Sequence, residues 1–450
     1  MQATAPATDQ GGLRRCLGPL AVTSQAVGSI GLTLTAVINI PEAMRTAGRA
    51  TWIAYLLALG AILLVSETLV LFRRVPSGPQ GIAGYVASGL GQRPSALASW
   101  TLLLGYGAAF LACLTFLGAD LARLLLHLGL PAAGTAGFLL GGLACYGFAR
   151  RDVKLSTTTM LFTEAISVLI VLGLTLLVLR QGGPAQDLRA IEPSGDSAAM
   201  VRSGLMVAVL SFIGFESAAN LESEAIRPER LVPQALRLSV CTAGVLFVIW
   251  AVVLPEGLAW LPPSQRYSLT AVSDLADRLG QQGAGLWIQL GTFLCLFGSS
   301  LGSLNALGRV SFALAGQRLL PASLHRVHPR FGTPDAALTA LFLPLIAGGA
   351  GVVACGLSTD TLFNGFGGFS VLAFLLVYGM VAVSCLRSAL PGSSPRRRWL
   401  VGGSCLLAVA AIGCAYLIAV VQQQPRMLLS FVALLLLGLL RMAMPSFRPG

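Results

Sequence analysis

The chain alternates between long apolar windows and short segments that hold most of its Arg, Pro and Asp residues. Each window has roughly 20 residues or more, the length of helix that crosses a hydrocarbon core of about 30 Å. Leu and Ala dominate the windows without a period-two alternation, so the pattern predicts helices and not a β-barrel. We predict twelve spans, near residues 21–40, 50–72, 96–126, 132–149, 156–179, 202–221, 237–255, 286–314, 336–355, 361–386, 399–421 and 427–443.

Composition supports a membrane location. The chain is 55% hydrophobic and 11% charged, with a mean hydropathy of +0.79, which leaves too little polar surface to cover a soluble globule. The longest loops are too short to hold a core of their own. We therefore predict an all-α polytopic membrane protein with one membrane domain, 21–443, between an N-terminal tail, 1–20, and a C-terminal tail, 444–450.

The distribution of basic residues predicts the orientation. With twelve spans, 21 of the 30 Lys and Arg residues lie on the side that carries both termini and nine lie on the other. Basic residues favour the cytoplasmic side of short loops, so both termini are predicted to be cytoplasmic, in the inner cell membrane. The net charge of +12 then reflects topology and attraction to anionic lipid. Nucleic acid is not an expected partner, because a basic soluble domain with aromatic platforms is missing from the sequence.

Glycines interrupt two of the predicted spans. The first span contains two glycines within 28–31, and the sixth contains Gly214, five spans later. A mid-helix glycine costs about 1 kcal/mol relative to alanine and lets the backbone unwind or approach a ligand. This spacing is that of two broken helices, each opening a five-helix repeat, at about 21–180 and 202–386, with accessory helices at about 399–443. Glycine also serves helix packing in membranes, so the spacing alone leaves both interpretations open.

Four carboxylates fall inside predicted spans: Glu67, Asp120, Glu164 and Glu216. Burying an ionised carboxylate costs several kcal/mol unless it is paired, so each is either protonated or tied to a cation or to backbone donors. For Glu216 the two alternatives are a proton carrier and a brace of the unwound segment. Asp120 stands three residues before Arg123, which predicts a surface ion pair.

Charged residues also cluster at the predicted cytoplasmic ends of the second and sixth spans. Glu67 lies about one and a half turns before Arg73, which leaves a structural pair and a coupling role open. Glu224 and Arg230 belong to a connector after the sixth span that is rich in both charges. We expect exposed local ion pairs there, which are individually weak.

Three sequence blocks, in order, resemble amino acid permeases of the amino acid, polyamine and organocation transporter superfamily. Residues 66–78 read SETLVLFRRVPSG, with an acidic residue, a basic pair and Pro-Ser-Gly. Residues 210–233 begin LSFIGFES, and residues 304–334 contain an Asn, an Arg, Leu-Pro and HPRFGTP. The resemblance extends from about residue 20 to residue 345.

The resemblance implies a leucine-transporter-like fold: twelve transmembrane helices, two inverted five-helix repeats, and a substrate site between broken helices 1 and 6. Backbone N–H groups at a half-helix start favour a carboxylate, and carbonyl groups at a half-helix end favour an ammonium group. The implied amide donors are Ser29, Ile30, Gly31 and Leu32, the implied carbonyl acceptors are Val27, Phe212, Ile213 and Phe215, and Gly214 forms the break. Phe212 and Phe215 either cover the substrate or pack in the interior.

The coupling residues depart from the family pattern. Proton-coupled members of the family often place a lysine in the fifth span, where Ser167 stands here. Glu164, one turn away, is our substitute candidate, beside Glu216, Glu67 and Ser167 itself. Sodium coupling is the alternative, with Ser299, Ser300 and Ser303 as secondary ligand candidates.

The resulting prediction is a secondary active transporter that moves amino acids by proton symport or exchange. A sodium-coupled carrier, or a carrier of polyamines or other organic amines, is the alternative within the same fold, and a membrane-embedded sensor or enzyme is the alternative from another class. We expect no enzyme activity, no cofactor and no metal, since no Gly-x-x-x-x-Gly-Lys-Ser/Thr loop or catalytic set is present. A homodimer stays open, and Tyr106, Asn305 and Phe366 are candidates for lining the substrate side chain.

Overall fold

The apolar windows form helices throughout the computed structural model. The structure describes residues 13–72, 81–130, 133–181, 197–280, 283–388, 395–422 and 424–443. Within these ranges the backbone is helical or in turns and loops, and an isolated β-bridge joins Leu17 to Ala225. Arg73, the Pro-Ser-Gly of residues 76–78 and the C-terminal tail, 444–450, lie outside the described residues.

Sixteen α-helices follow one another along these ranges. They are α1 (Pro19–Ile30), α2 (Leu32–Leu34), α3 (Ile40–Ala47), α4 (Thr51–Phe72), α5 (Gly81–Leu90), α6 (Gln92–His127), α7 (Gly134–Arg151), α8 (Val153–Arg180), α9 (Ser197–Phe212), α10 (Pro228–Ala259), α11 (Ala271–Leu279), α12 (Ala284–Gly316), α13 (Asp335–Ala354), α14 (Thr359–Ser388), α15 (Pro395–Gln422) and α16 (Pro425–Ala443). A π-helical turn, Thr35–Asn39, joins α2 to α3, and a 3-10 segment, Phe215–Leu221, follows α9. The short helices α5 and α11 lie in segments that the sequence analysis treats as loops.

The long helices agree with a multi-pass membrane protein. Ten helical stretches among the described residues are long and apolar enough to cross a membrane. One of them, Pro19–Leu71, contains the first two predicted spans, whereas α7, which coincides with the fourth predicted span, is not among the ten. The count of twelve spans and the two inverted repeats therefore stay predictions.

Helices α6 and α12 form the centre of the molecule. They pack against each other, and α6 also packs against α14 while α12 packs against α8. In α6, 78% of the apolar window is buried, compared with 11% in α16. The difference places α16 at the periphery, where exposed residues such as Leu429, Leu436 and Leu440 suit a lipid environment. The interior is where polar side chains gather.

Both predicted helix breaks are present. The first lies at Gly31, which has φ +69° and ψ 72°, while residues 28–30 remain helical in α1. The second lies after Phe212, at Gly214, with φ +115°. Left-handed backbone costs a side-chain-bearing residue about 1–2 kcal/mol, so glycine is the residue that allows the chain to interrupt and restart the helix at both points.

Candidate functional site

The two helix breaks touch each other. A Cβ atom built on Gly214 would lie 2.5 Å from the carbonyl carbon and oxygen of Ser29 and 2.8 Å from the nitrogen of Ile30. These are backbone atoms, so the contact could not be relieved by a side-chain rotation. The absence of a side chain at residue 214 is therefore what lets the second break lie directly against the end of α1.

Backbone amides at the first break already have partners inside the protein. The amide of Gly31 donates to the carbonyl oxygen of Val27 at 3.3 Å. The amides of Leu32 and Thr33 donate to Oε1 of Glu164, at 2.6 Å and 3.4 Å. Two of the amides that the resemblance assigns to a substrate carboxylate, Gly31 and Leu32, are thus occupied by groups of this chain.

Glu164 is the carboxylate that the structure brings to the first break. Its side chain is 2% exposed, and besides the two backbone amides Oε1 receives the thiol of Cys295 at 3.8 Å. Its other oxygen, Oε2, is buried without a hydrogen-bond partner among the described residues. Ser167, the other fifth-span candidate, donates its hydroxyl to the backbone carbonyl of Glu164 at 2.9 Å. Of the two fifth-span candidates, Glu164 therefore contacts the first break, whereas Ser167 bonds within its own helix.

Glu216 lies at the second break and is fully enclosed. Tyr106 donates to its Oε1 at 2.9 Å, Tyr378 donates to its Oε2 at 2.6 Å, and the amide of Gly214 donates to Oε2 at 3.0 Å. Asn220 in turn donates to the Tyr106 hydroxyl at 2.9 Å. Both oxygens act as acceptors, as those of an ionised carboxylate do, and the three donors come from three separate segments. This geometry favours the brace over the proton carrier.

The aromatic residues at the second break pack in the interior. Phe212 and Phe215 are both fully buried. Phe212 meets Phe247 edge-on, with ring centroids 5.0 Å apart, and Phe215 lies 5.8 Å from Tyr378. Ile213 is likewise buried. Their contacts are those of core packing, and a role in covering substrate stays a prediction.

A polar network next to the breaks joins Ser29 and Asn305, which the sequence analysis named, to Gln25, Ser156 and Ser217, which it missed. The Gln25 amide nitrogen donates to the Ser29 hydroxyl at 3.2 Å, and Ser217 donates to the same hydroxyl at 3.0 Å. Asn305 donates to Gln25 Oε1 at 3.3 Å and to the Ser156 hydroxyl at 2.5 Å. These hydrogen bonds join α1, α8, α12 and the 3-10 segment. A lone glutamine in an apolar span was the available signal, because a buried amide needs partners.

The secondary sodium candidates lie on α12. Ser299 donates to the carbonyl of Gly28 at 3.1 Å, so this hydroxyl joins α12 to α1. Ser300 has a buried hydroxyl without a partner among the described residues, and Ser303 is buried. In the part of the chain that the structure covers, no group of three or more His, Cys, Asp or Glu residues could hold a metal ion. Sodium binding by the three serines stays untested.

Two carboxylates outside the breaks differ from expectation, Glu67 in its partner and Asp120 in its burial. Glu67 forms a bidentate ion pair with Arg237 of α10, at 2.6 Å and 2.7 Å, with both side chains about half exposed. The pairing crosses between helices, whereas the sequence offered Arg73 of the same segment. Asp120 does lie near Arg123, at 3.9 Å, but its side chain is 2% exposed. The expectation of a surface pair was wrong, because the long helix α6 is central in the fold.

The connector after the second break is also more buried than expected. Glu224 forms an ion pair with Arg309 of α12, with Oε2 2.5 Å from Nε and Oε1 3.1 Å from Nη2. Glu222 accepts from the amide of Gly81 at 2.7 Å and from the Tyr85 hydroxyl at 3.3 Å. The prediction of exposed local pairs was wrong here, since these residues hold the 3-10 segment against α5 and α12.

A cavity of about 400 Å³ opens beside this connector. Its lining includes Ser99, Asn220, Glu222, Arg309 and His325, from α6, the 3-10 segment, the connector, α12 and the loop after it. Pockets for small molecules have volumes of about 300–1,000 Å³. Asn220 connects this cavity to the second break through the Tyr106 hydroxyl, which also contacts Glu216.

Comparison with known proteins reveals wide similarity. The sequence model of a family described as amino acid permease matches residues 17–438. Cationic amino acid transporter 4 of Mus musculus is 27% identical over 406 residues, which are 85% of this chain and 62% of the mouse protein. The methylthioribose transporter of Bacillus subtilis (strain 168) is 27% identical over 361 residues, 75% of each chain.

A third relative is the branched-chain amino acid permease BcaP of Bacillus subtilis (strain 168), which is 23% identical over 341 residues, 72% of each chain. The chain spans less than two thirds of the length of the mouse and human cationic amino acid transporters 4, 62% and 61% respectively. The relatives differ in the ligands that their names state.

Proposed function

The chain belongs to the amino acid permease family, and on that premise we propose that it is a secondary active transporter that moves amino acids across the cell membrane by alternating access. We further propose that both termini are cytoplasmic and that transport is driven by a proton gradient or by exchange. The observation that carries the proposal is the direct contact between the two helix breaks, at Gly214 and Ser29–Ile30.

Touching breaks suit alternating access because they place unwound backbone at the centre of the helix bundle. Irregular backbone at membrane depth is tolerated where it is buried in protein or lines a cavity, and broken helices of this kind form substrate sites in transporters. The breaks belong to different parts of the chain, so a relative movement of those parts would open or close the space between them.

The cavity supports an assignment of the state that the structure represents. Its lining residues lie at the helix ends that the basic residues predict to be cytoplasmic. Hydrogen bonds lead from Asn220, in the lining of the cavity, through Tyr106 to Glu216. The Asn220 end of this series is therefore on the predicted cytoplasmic side. We propose that this conformation faces the cytoplasm.

The names of the relatives define the substrates to be tested. They include cationic amino acids, branched-chain amino acids and methylthioribose. We propose an amino acid as substrate, with the identity of its side chain left to measurement. Organic amines, sodium-driven uptake, and binding without transport are the competing outcomes.

Proteoliposomes containing the purified full-length chain provide the test. Uptake of radiolabelled arginine, lysine, leucine, isoleucine and valine, and of a polyamine and methylthioribose for comparison, would be measured with an inward proton gradient, with sodium, and by counterflow. We expect uptake of one amino acid class without sodium, and its loss in Gly214→Ala, where the added carbon collides with the backbone of α1. Uptake of polyamines alone, or binding without movement, would contradict the proposal.

A matched control separates this collision from general damage. Gly173 of α8 has open space where a Cβ would be added, so Gly173→Ala should transport at the rate of the unaltered protein. Equal uptake by the two alanine variants would show that contact between the breaks does not carry function.

A further inference from the structure

The carboxylate of Glu164 stands where an incoming carboxylate would be recognised. Its Oε1 accepts the amides of Leu32 and Thr33, at the point where the helical stretch Leu32–Ala47 restarts after Gly31. Amides at a helix start attract anions. The helix restart after Gly31 therefore provides a position for an anion, and the carboxylate of Glu164 occupies it.

The surroundings of Glu164 provide no fixed positive charge to hold it there. Cys295 of α12 is the titratable side chain in contact with it, and α1 and α2 contain no titratable residue. The charged residues of α7, α10 and α11, Arg309 of α12, and Lys154 and Arg180 of α8 form no ion pair with it in the ranges that the structure describes. Protonation is therefore the simplest way to neutralise Glu164 without moving another residue.

Two buried oxygen atoms near this contact lack partners among the described residues. They are Oε2 of Glu164 and the hydroxyl oxygen of Thr33, and they belong to residues already joined through the Thr33 amide. An unsatisfied buried polar group costs about 1–3 kcal/mol. The protein itself thus leaves two polar atoms at the first break available to a further hydrogen-bonding group, whereas both oxygens of Glu216 already accept hydrogen bonds.

We propose that Glu164 is a tethered competitor of the substrate carboxylate, so that its protonation releases the amides of Leu32 and Thr33 to an amino acid. This inference rests on the proposed function. The proton comes from water on the side from which the substrate enters, and it stays on Glu164 while the substrate carboxylate accepts the two amides. Two ionised carboxylates in one buried position repel each other strongly, so substrate and proton bind together.

Linkage sets the size of the effect. If one proton must bind before the substrate does, the substrate Kd rises about tenfold per pH unit above the pKa of the proton site, and proton affinity rises when substrate is bound. The stoichiometry is one proton for each amino acid. Because the coupling group lies at the amide position itself, the fifth-span lysine of other family members is not required.

The test is calorimetric titration of the purified full-length protein in lipid nanodiscs. L-Arginine and L-leucine would be titrated at two pH values, in buffers that differ in ionisation enthalpy, so that proton uptake is read directly. For whichever amino acid binds, we expect uptake of about one proton at the higher pH. Glu164→Gln should abolish this uptake and make Kd independent of pH.

Asp120→Asn is the matched control, because Asp120 is also a buried span carboxylate with an unpartnered oxygen but lies on α6, near Arg123. This variant should keep the proton uptake. If Glu164→Gln does not fold, infrared difference spectra of the unaltered protein provide the second readout. A protonated carboxyl band should appear when the amino acid is added.

The outcomes separate the two proposals. Amino acid binding without proton uptake, or proton uptake that persists in Glu164→Gln, would overturn the competitor role of Glu164. The proposal that the protein is a transporter would be unaffected. Loss of proton uptake in Asp120→Asn would transfer the coupling role to that residue. Failure of every amino acid in the panel to bind would overturn the proposed function, and with it this inference.

Discussion

Each of the two helix breaks is contacted by a buried carboxylate, and the two carboxylates are held differently. Glu216 receives three donors on two oxygens, from Tyr106, Tyr378 and Gly214. Glu164 receives its donors on one oxygen, and the other has no partner among the described residues. A fully satisfied network makes a segment rigid, whereas a partly satisfied one is costly and open to change.

The comparison assigns different tasks to residues of the same type. The second break is held in shape by a carboxylate of its own segment, two residues from Gly214. The first break is contacted by a carboxylate from another helix, α8. One break is thus braced from within its own segment, whereas the contact at the other depends on the packing of α8 against α1 and α2.

Removal of the brace should produce the largest effect. In Glu216→Ala, the hydroxyls of Tyr106 and Tyr378 and the amide of Gly214 lose their acceptor, and a cavity remains. We expect a loss of about 3 kcal/mol or more in stability, seen as a large fall in the thermal midpoint of the purified protein, and no transport. Glu164→Ala should cost less, about 1–2 kcal/mol, since it loses one short hydrogen bond, from Leu32, and two longer ones, from Thr33 and Cys295. A larger fall for Glu164→Ala would reverse the comparison.

Removal of one donor from the brace should have an intermediate effect. Tyr378→Phe keeps the ring contacts but removes the hydrogen bond to Glu216 Oε2. Hydrogen bonds to charged groups contribute about 1.5–3 kcal/mol, so we expect a fall of that size in the same thermal assay. Tyr416→Phe on α15, at a half-buried tyrosine distant in sequence from the breaks, is the control and should be neutral. Equal midpoints for the two variants would argue that Glu216 does not depend on Tyr378.

Substitution of the glycine at the first break should cost less. Gly31→Ala forces a side chain into left-handed backbone, at about 1–2 kcal/mol, and its Cβ meets the hydroxyl of Ser299, which can move aside only by giving up its bond to Gly28. We expect reduced uptake and a modest loss of thermal stability. Gly60→Ala in α4, where the added carbon meets open space, should be neutral or slightly stabilising. An unaltered Gly31→Ala protein would show that this break tolerates a regular side chain.

The smallest effect is expected at Ser167. Its hydroxyl donates to a carbonyl of its own helix, so Ser167→Ala should change stability by less than about 0.5 kcal/mol and leave the proton dependence of uptake in place. Ser299→Ala removes a bond between helices and should cost about 1 kcal/mol. Loss of proton dependence in Ser167→Ala would restore the coupling role that the resemblance assigns to this position.

Much of the site could be located from the sequence, but not its contacts. The stretch 28–31 and Gly214 were predicted as candidate breaks, because glycine in an apolar helix is a local signal, and the structure places the first break at Gly31. Glu164 was singled out because a carboxylate in an apolar span is costly. That Glu164 would contact Leu32, 132 residues away, has no local signature, and neither has the bond from Tyr378 to Glu216 across 162 residues.

The ion pairs divide in the same way. The pair of Asp120 and Arg123 follows from helical spacing, whereas its burial depends on the central position of α6. The partners of Glu67 and Glu224 come from α10 and α12, across 170 and 85 residues. Sequence spacing could suggest only nearby residues as ion-pair partners, such as Arg73 for Glu67 and Arg230 for Glu224.

The sequence by itself determined the membrane class, the helical windows, the two glycine breaks and the family, because hydropathy, glycine backbone freedom and motif spacing are properties of neighbouring residues. The tertiary structure alone decided that the breaks touch, that Glu216 is braced on both oxygens and that Glu164 occupies the first break. Those facts depend on which helices pack together in three dimensions, and a buried polar atom takes whichever partner that packing brings within about 3 Å.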